Sequence, residues 1–203
     1  YIVDISLPFS MIKDNAYKEI CINNQAHFVL EPLFENIPIE LRILKQWVDW
    51  RLEINKEGRS TKVPYQINSL KADPTDQSTW SSFDDVVAAY DRHDFAGIGF
   101  VTTLDSEIIG LDLDHCVKEE IIEPWALDII GRLNSYTEKS PSGNGLRIFV
   151  RGRIDDQMRK KRNGFGLDGK GALEIYQEKR FLTVTGHRFS QYSEPDLPDQ
   201  VGT

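Results

Sequence analysis

The sequence predicts an α+β fold built around a mixed β-sheet. Short apolar segments with the two-residue period of strands outnumber the segments with helical periodicity, and the two kinds alternate irregularly along the chain. Turn residues join some of the predicted strands directly, which favours hairpins beside crossover connections. The length of 203 residues and the apolar content of 40% are ordinary for one globular domain or slightly more.

Strands are predicted at several places along the chain. Residues 47–54 alternate between two faces, as a strand does. After a turn, residues 62–65 are expected at a sheet edge, because Pro64 lacks the N–H group that a central strand needs. Further strands are predicted at residues 97–101, 108–114, 145–150, 172–176 and 181–185.

Two helices and one loop complete the predicted elements. The first helix begins after Ser82, which suits an N-cap, and runs to about Arg92. The second covers residues 124–133 and has a proline in its first turn. Residues 155–171 are basic and rich in glycine, and we expect them to form a mobile loop.

The composition excludes several classes of protein. No apolar run reaches the roughly 18 residues that span a bilayer, so no membrane partner is expected. The two cysteines, Cys21 and Cys116, are too far apart for a disulfide scaffold or an ordinary zinc site, and they fit a reducing cytoplasm. A net charge of −8 argues against a nucleic-acid grip over the whole surface.

The basic residues are concentrated in one segment. Between Arg147 and Arg180 there are ten basic and five acidic residues, so this segment carries +5 and the rest of the chain −13. The segment lies downstream of an acidic motif, and an acidic metal site beside a basic strip suits an enzyme that acts on phosphates. An ordinary solvated face is the alternative for this segment.

An Asp-x-Asp motif ends the apolar strand at residues 108–114. Asp112 and Asp114 share a face of that strand and lie roughly 6–7 Å apart. A divalent cation with hard oxygen ligands, Mg²⁺ or Mn²⁺, would relieve their repulsion. Glu174, on a later strand, could share that metal. Two exposed aspartates and a solvent-facing glutamate are the alternatives.

A turn rich in serine and glycine precedes another predicted strand. Its hydroxyls and backbone N–H groups suit an anion. Arg147 begins the strand, and its guanidinium can grip two phosphate oxygens at once. An ordinary tight hairpin is the alternative. The candidate phosphate-binding residues are Ser140, Ser142, Gly143 and Arg147, with Lys62, Arg180 and His187 as further candidates.

Taken in order, these segments resemble the primase-polymerase domain of phage and plasmid replication proteins, within the archaeo-eukaryotic primase superfamily. The resemblance covers about residues 37 to 189. It rests on a series of short segments, which include GLDLDHC at 110–116, YTEKSPSG at 136–143, LEIY at 173–176 and RFLTVTGH at 180–187.

The resemblance implies a primase-like catalytic core with a mixed, mostly antiparallel sheet flanked by helices. This core would occupy residues 37–190. Residues 1–36 would be an N-terminal extension of unclear role, and residues 191–203 a C-terminal tail or the start of a linker.

The resemblance also implies roles for individual residues. Asp112, Asp114 and Glu174 match the acids that hold the divalent metals and catalyse nucleotide addition. The serine and glycine turn matches a motif that contacts the nucleotide phosphates and usually ends in His, where this chain has Arg147. An arginine still binds phosphate, although it cannot act as a general acid near neutral pH. The candidate DNA-binding residues are Arg159, Lys160, Lys161 and Arg162.

The function expected from this resemblance is template-directed nucleotidyl transfer. The enzyme would be a DNA primase and DNA polymerase that uses two Mg²⁺ or Mn²⁺ ions to add nucleotides to a 3′-hydroxyl during replication of a phage, plasmid or other mobile element. Its partners would be a DNA template and primer, nucleoside triphosphates and a downstream helicase domain in the full-length protein. Two other classes stay open: a non-catalytic primase-like module that binds single-stranded or origin DNA, and a Mg²⁺-dependent Asp-x-Asp phosphatase or glycosyltransferase.

Overall fold

The computed structural model describes residues 17–155, 157 and 160–189. Within these residues the helices are α1 (Ile39–Arg42), α2 (Phe83–Arg92) and α3 (Pro124–Leu133). The strands are β1 (Tyr17–Ile22), β2 (Gln25–Leu30), β3 (Trp47–Ile54), β4 (Ser60–Tyr65), β5 (Gly97–Thr102), β6 (Ile108–Asp114), β7 (Val117–Lys118), β8 (Ile121–Ile122), β9 (Thr137–Lys139), β10 (Leu146–Arg151), β11 (Lys161–Phe165), β12 (Gly171–Tyr176) and β13 (Arg180–Val184).

The strands form two main sheets. One sheet has the order β11-β12-β6-β10-β9 and the other the order β13-β5-β3-β4, while β1-β2 and β7-β8 are separate hairpins. All pairings between these strands, in the part of the chain described, are antiparallel. The predicted α+β class with mostly antiparallel strands is confirmed, with two sheets in place of one. Strand β4, which contains Pro64, lies at a sheet edge as predicted.

The two faces of the five-stranded sheet differ, because side chains alternate along each strand. One face is apolar, and the other, which we call the charged face, carries charged residues together with some buried apolar ones. Leu113 of β6 and Ile148 of β10 lie on the apolar face and pack in one cluster with Ile130 of α3. Their neighbours in sequence, Asp112 and Arg147, lie on the opposite face. The same alternation therefore builds part of the core and positions charged side chains.

Aromatic side chains connect the second sheet to α2 and to the first sheet. Trp47 of β3 lies 5.0 Å from Phe83 of α2 and 5.3 Å from Phe100 of β5, measured between ring centroids. Phe100 in turn lies 6.2 Å from Phe149 of β10. All four rings are buried and belong to one hydrophobic cluster. Phe149 lies on the same face of β10 as Arg147, so this cluster packs the two sheets together on the charged face, beside the charged side chains.

The two longer helices begin where the sequence predicts. Ser82 caps α2, since its hydroxyl accepts the Asp85 N–H at 3.3 Å. Helix α3 has Pro124 in its first turn and ends at Asn134, which adopts a left-handed conformation with φ of 41°. No helix in residues 17–155, 157 and 160–189 has both the length and the apolar character to cross a membrane.

The prediction of a loop over residues 155–171 is wrong for residues 161–165. Residues 161–165 form β11, which pairs with β12 along one edge of the five-stranded sheet. Both faces of β11 are polar or exposed, so its sequence carries no alternating apolar signal. Residues 156, 158 and 159 lie outside the described residues.

Part of the predicted N-terminal extension packs against the rest of the domain. Val29 and Leu30 are buried, and the Leu30 N–H donates to the Pro141 carbonyl at 2.8 Å. The Leu33 N–H donates to the Thr185 carbonyl, also at 2.8 Å. These contacts join residues 17–36 to the domain. Residues 1–16 and the predicted tail at 191–203 lie outside the described residues.

Candidate active site

A row of five charged residues crosses the charged face of the five-stranded sheet. The strand register sets Lys161 of β11 opposite Glu174 of β12, and Glu174 opposite Asp112 of β6. It also sets Asp112 opposite Arg147 of β10, and Arg147 opposite Glu138 of β9. Residues directly opposite each other share a face, with Cβ atoms about 4.5–5.5 Å apart. We call these five residues the charged row.

Asp112 occupies the centre of the charged row. Its Oδ1 lies 3.4 Å from Nε of Arg147. This oxygen is buried and finds no hydrogen-bond partner among the described residues. Burial, and then the charge of Asp112, raise the pKa of the neighbouring Asp114 above its ordinary value. A buried carboxylate oxygen without a partner is unfavourable, so this atom is available to a ligand.

The three predicted metal ligands are neighbours in the sheet. Glu174 is directly opposite Asp112, and Asp114 follows two residues later on the same face. Their hard oxygens suit Mg²⁺ or Mn²⁺, and Oδ1 of Asp112, which has an ion pair but no hydrogen bond among the described residues, fits such an ion. The Glu174 carboxylate, however, is paired with the Lys161 ammonium.

The side chains in their present positions do not form a finished metal site. In the part of the chain that the structure describes, no three His, Cys, Asp or Glu side chains lie close enough to hold a metal ion. Glu174 can bind an ion beside Asp112 either by exchanging Lys161 for the ion or through its second carboxylate oxygen, because Lys161 pairs with only one of the two oxygens. The metal ion therefore stays a prediction.

Arg147 is buried at the wall of the site. Only 4% of the residue is exposed, and Nη1 donates to the Thr183 carbonyl at 3.1 Å and to the Thr183 hydroxyl. Within the described residues, its Nε has no hydrogen-bond partner. The guanidinium is thus held by β13 on one side and lies beside Asp112 on the other.

A cleft of about 960 Å³ lies between the two sheets, and Asp112 and Arg147 are part of its wall. Apolar side chains, among them Leu52, Pro64 and Phe181, cover another part. An excess of cations suits a polyanionic ligand, and the apolar part suits a flat, weakly polar group. The charged residues of the wall are Lys62, Lys71, Arg147, Lys179, Arg180, Asp73 and Asp112.

Two of the further phosphate candidates lie in this cleft. Burial, and then the charge of Arg147, lower the pKa of Lys62 to about 8, against the opposing effect of Asp112 and Asp114. Lys62 is therefore within electrostatic reach of the charged row. The Arg180 guanidinium lies 5.0 Å from the centre of the Tyr176 ring, and both side chains line the cleft.

The serine and glycine turn adjoins Asp114 but makes most of its contacts internally. A Cβ atom on Gly145 would lie 3.6 Å from Cα of Asp114. The Ser140 hydroxyl accepts the Gly145 N–H at 3.2 Å and lies 3.2 Å from the Ser142 hydroxyl. The Gly143 N–H donates to the Ser140 carbonyl at 2.8 Å. The turn is close to the acids, yet it is not part of the described cleft wall.

His187 lies apart from the cleft. The residue is buried, and its Nε2 is 2.8 Å from the Glu31 carbonyl oxygen. Its backbone carbonyl accepts the Lys139 N–H at 2.9 Å. The structure therefore does not bring the His187 ring together with Lys62, Arg147 and Arg180.

The predicted DNA-binding residues 159–162 do not share one surface, because consecutive side chains of β11 point to opposite faces of the sheet. Lys161 faces Glu174 in the charged row. Arg162 lies on the other face, where its guanidinium is 4.9 Å from the Phe165 ring centre. Lys160 is exposed, and Arg159 lies outside the described residues.

The sequence analysis missed two residues that contribute to the site. Glu138 is fully buried at the end of the charged row, and Thr183 holds the Arg147 guanidinium. Both stand within segments that carry the family resemblance. Their contacts with Arg147 come from the pairing of β9 with β10 and from the packing of β13, which no local pattern reveals.

The fold and the site define a class: an antiparallel α+β domain in which an acid near a strand end, Asp112, lies in the wall of a cationic cleft. No family model matches the chain. The chain is 37% identical over 147 residues to a protein of Nitratiruptor phage NrS-1 named DNA primase-polymerase. The match covers 71% of the chain, and the chain spans only 19% of the length of this relative. The chain thus carries a primase-polymerase domain, which confirms the family that the motifs predict.

Proposed function

We propose that this domain is a template-directed nucleotidyltransferase that acts as a DNA primase and DNA polymerase. One observation carries the proposal: the strand register sets Glu174, Asp112 and Arg147 side by side, with Asp112 and Arg147 in the wall of a cationic cleft. The similarity to a protein named DNA primase-polymerase supports the same function.

Asp112, Asp114 and Glu174 are the proposed ligands of two Mg²⁺ or Mn²⁺ ions. Bound ions of this kind lower the pKa of an attacking hydroxyl and neutralise charge on the leaving pyrophosphate. The absence of a hydrogen bond to Oδ1 of Asp112 among the described residues supports the assignment, because an ion would satisfy this buried oxygen. The pairing of β12 with β6 places Glu174 directly opposite Asp112.

The basic residues of the cleft are the proposed triphosphate contacts. Arg147, Lys62 and Arg180 line the cleft from three different strands, so they can surround an anion. Charge-assisted hydrogen bonds to phosphate are stronger than neutral ones. The turn that contains Ser140, Ser142 and Gly143 adjoins Asp114, and we propose it as a second phosphate contact.

Lys160 and Arg162 are proposed to contact the template backbone. The net charge of −8 leaves DNA binding to local basic surfaces, of which β11 is one. We place the reaction in the replication of a phage, plasmid or other mobile element, with a helicase domain as partner, in a reducing cytoplasm. Cys21 and Cys116 are both free, which fits that compartment.

Primer extension with Mg²⁺ and with Mn²⁺ tests the proposal. Asp112→Asn keeps the shape of the side chain and removes the proposed metal ligand's charge, so we expect nucleotide incorporation to be lost. Asp128→Asn is the matched control, because Asp128 is exposed on α3. Circular dichroism should show the parent fold for both variants. Full incorporation by Asp112→Asn, or by the parent in excess EDTA, would contradict the metal mechanism.

A non-catalytic DNA-binding module is a second candidate. The observation that favours it is that two of the three proposed acids are paired with basic side chains, Asp112 with Arg147 and Glu174 with Lys161. A module of this kind would bind primed DNA in a gel-shift assay and incorporate no nucleotide with either metal. The same primer-extension experiment therefore separates the two candidates.

A further inference from the structure

We propose that Glu138 is a positioning residue that holds Arg147 in place and keeps its guanidinium from forming a hydrogen bond to Asp112, although the two side chains form an ion pair. The residue lies on β9, at the end of the charged row and outside the cleft wall described above. The proposal rests on the proposed function in one respect, namely that Arg147 contacts the nucleotide.

Glu138 is a fully buried carboxylate that is saturated with hydrogen-bond donors. The Tyr136 hydroxyl donates to it at 2.7 Å and the Gly186 N–H at 2.8 Å. The Thr185 N–H is shared between both carboxylate oxygens at 3.0 and 3.1 Å. Burying a carboxylate costs several kcal/mol unless such donors compensate for the lost water. Four contacts from two chain segments therefore define the position of this group.

These hydrogen bonds extend to the residue that holds Arg147. Thr185 lies two positions after Thr183. Nη1 of Arg147 donates hydrogen bonds to both the carbonyl and the hydroxyl of Thr183. By binding the Thr185 N–H, Glu138 fixes the end of β13. The orientation of the Arg147 guanidinium is consequently set by β13, whose end is held in position by Glu138.

The backbone after β13 is shaped for this contact. Gly186 has a φ of 69°, in the region that favours glycine. A Cβ atom there would lie 2.0 Å from the Leu33 carbonyl oxygen, so no other residue fits. The Leu33 N–H in turn donates to the Thr185 carbonyl at 2.8 Å. The segment that carries the two N–H donors is therefore fixed before any ligand binds.

Glu138 also acts on Arg147 through charge. In the charged row Arg147 stands between Glu138 and Asp112, which are its opposite neighbours on β9 and β6. Burial raises the pKa of Glu138 to about 7, and its donors and Arg147 oppose the shift. While Glu138 is ionised, the guanidinium is attracted from both sides and leaves Oδ1 of Asp112 without a hydrogen bond. Without that charge, Arg147 would move toward Asp112 and occupy the oxygen proposed to bind metal.

The test is a double-mutant cycle on binding of fluorescently labelled dATP, and of Mn²⁺ followed by electron paramagnetic resonance. Glu138→Gln keeps the shape and removes the charge. We expect it to weaken both affinities about tenfold, within the range for residues of one network. In an Arg147→Ala background the same change should have less than about a twofold effect. Glu107→Gln, which removes the charge of an exposed carboxylate paired with Arg153, is the matched control and should bind like the parent.

The outcomes separate this inference from the proposed function. If Arg147→Ala binds labelled dATP like the parent, the proposed nucleotide contact of Arg147 is wrong. If Arg147→Ala weakens binding and Glu138→Gln does not, or weakens it equally in both backgrounds, the positioning role is overturned.

A nucleotide-free readout tests the structural part alone. The Arg147 Nε–H signal in an NMR spectrum, assigned by its loss in Arg147→Ala, should shift in Glu138→Gln and stay in place in Glu107→Gln. An unchanged signal in Glu138→Gln overturns the inference. If Glu138→Gln does not fold, Glu138→Asp replaces it, since it keeps the charge and shortens the reach. A loss of affinity that is coupled to Arg147 then supports the inference, and an uncoupled loss overturns it.

Discussion

The two faces of the five-stranded sheet use the same strands for opposite purposes. On β6, Leu111 and Leu113 pack toward α3, while Asp112 between them reaches the cleft. On β10, Ile148 packs on the apolar face and Arg147 lies on the charged one. The apolar face stabilises the fold, whereas the charged face holds acids whose burial costs free energy. Substitutions on neighbouring residues should therefore separate stability from activity.

The largest contrast is expected between two consecutive residues of β6, beginning with the charged one. Asp112→Ala should abolish nucleotide incorporation while the free energy of unfolding stays close to the parent value. The variant loses a proposed metal ligand, whereas for stability the removal of a buried oxygen without a hydrogen bond offsets the loss of its ion pair with Arg147. Primer extension and urea denaturation measure the two effects. A large loss of stability would show that Asp112 is mainly structural.

The apolar neighbour should behave in the opposite way. Leu113 is fully buried in the cluster that packs on α3. Leu113→Ala should lower the free energy of unfolding by about 2–5 kcal/mol, because it removes buried methyl groups and leaves a cavity. Urea denaturation measures the change, and the folded fraction should still incorporate nucleotides. Loss of incorporation at full stability would mean that the two faces are not independent.

Arg147 tests whether the charged face binds phosphate or only balances charge. Arg147→Ala should raise the apparent KM for nucleotide by a factor that corresponds to about 1.5–3 kcal/mol, as for hydrogen bonds to charged groups. Arg147→Lys should recover part of the loss, because a point charge remains without the fork.

A third variant tests proton transfer at the same position. Arg147→His should add a pH dependence near neutrality if an imidazole at this place serves as an acid. Nucleotide titrations over a range of pH measure all three variants. If Arg147→Ala has the same KM for nucleotide as the parent, the role of Arg147 is purely structural.

A buried acid in the other sheet sharpens the comparison with Glu138. Asp49 of β3 is fully buried, and neither of its oxygens has a hydrogen-bond partner in the described part of the chain. Burial raises the pKa of Asp49 to about 8, opposed by Arg51. The folded protein therefore keeps this proton at pH values where the unfolded chain, with a pKa of about 3.9, has lost it.

The sign of the pH effect follows from this difference. The stability contributed by protonated Asp49 is complete below about pH 4 and is lost as the pH rises toward 8. The free energy of unfolding should fall by up to about 1.4 kcal/mol per pH unit over this range. Asp49→Asn should remove that part of the slope, as measured by urea denaturation at pH 5, 6, 7 and 8. Equal slopes for parent and variant would show that Asp49 is ionised or hydrated in the folded protein.

The smallest effect is expected at the exposed edge of the sheet. Replacing Lys160 and Arg162 of the β11 region by alanine should flatten the salt dependence of single-stranded DNA binding. Each lost phosphate contact reduces the slope of log K against log salt by about 0.7. Arg132→Ala is the control, since Arg132 is exposed on α3. An unchanged slope in the double variant would make this edge an ordinary solvated surface.

Elements with a strong local signal were predicted within a residue or two. Helix α3 matches its predicted bounds, α2 has the predicted cap at Ser82, and β3 and β6 occupy the predicted segments. Their signals are periodicity, a capping residue and an N-terminal proline, all of which act within a few residues. The predicted loop at 155–171 failed because the stability of β11 comes from hydrogen bonds to β12 rather than from its own residues.

The sequence by itself determined the chemical inventory of this protein: an Asp-x-Asp at a strand end, a later acid, and a basic segment on an acidic chain. Tertiary structure alone decided how these groups meet. Antiparallel pairing put Glu174, Asp112, Arg147 and Glu138 in one row, and the packing of β13 gave Arg147 its partner in Thr183. The physical reason is that periodicity assigns a side chain to a face, whereas register and packing depend on contacts between residues far apart in the chain.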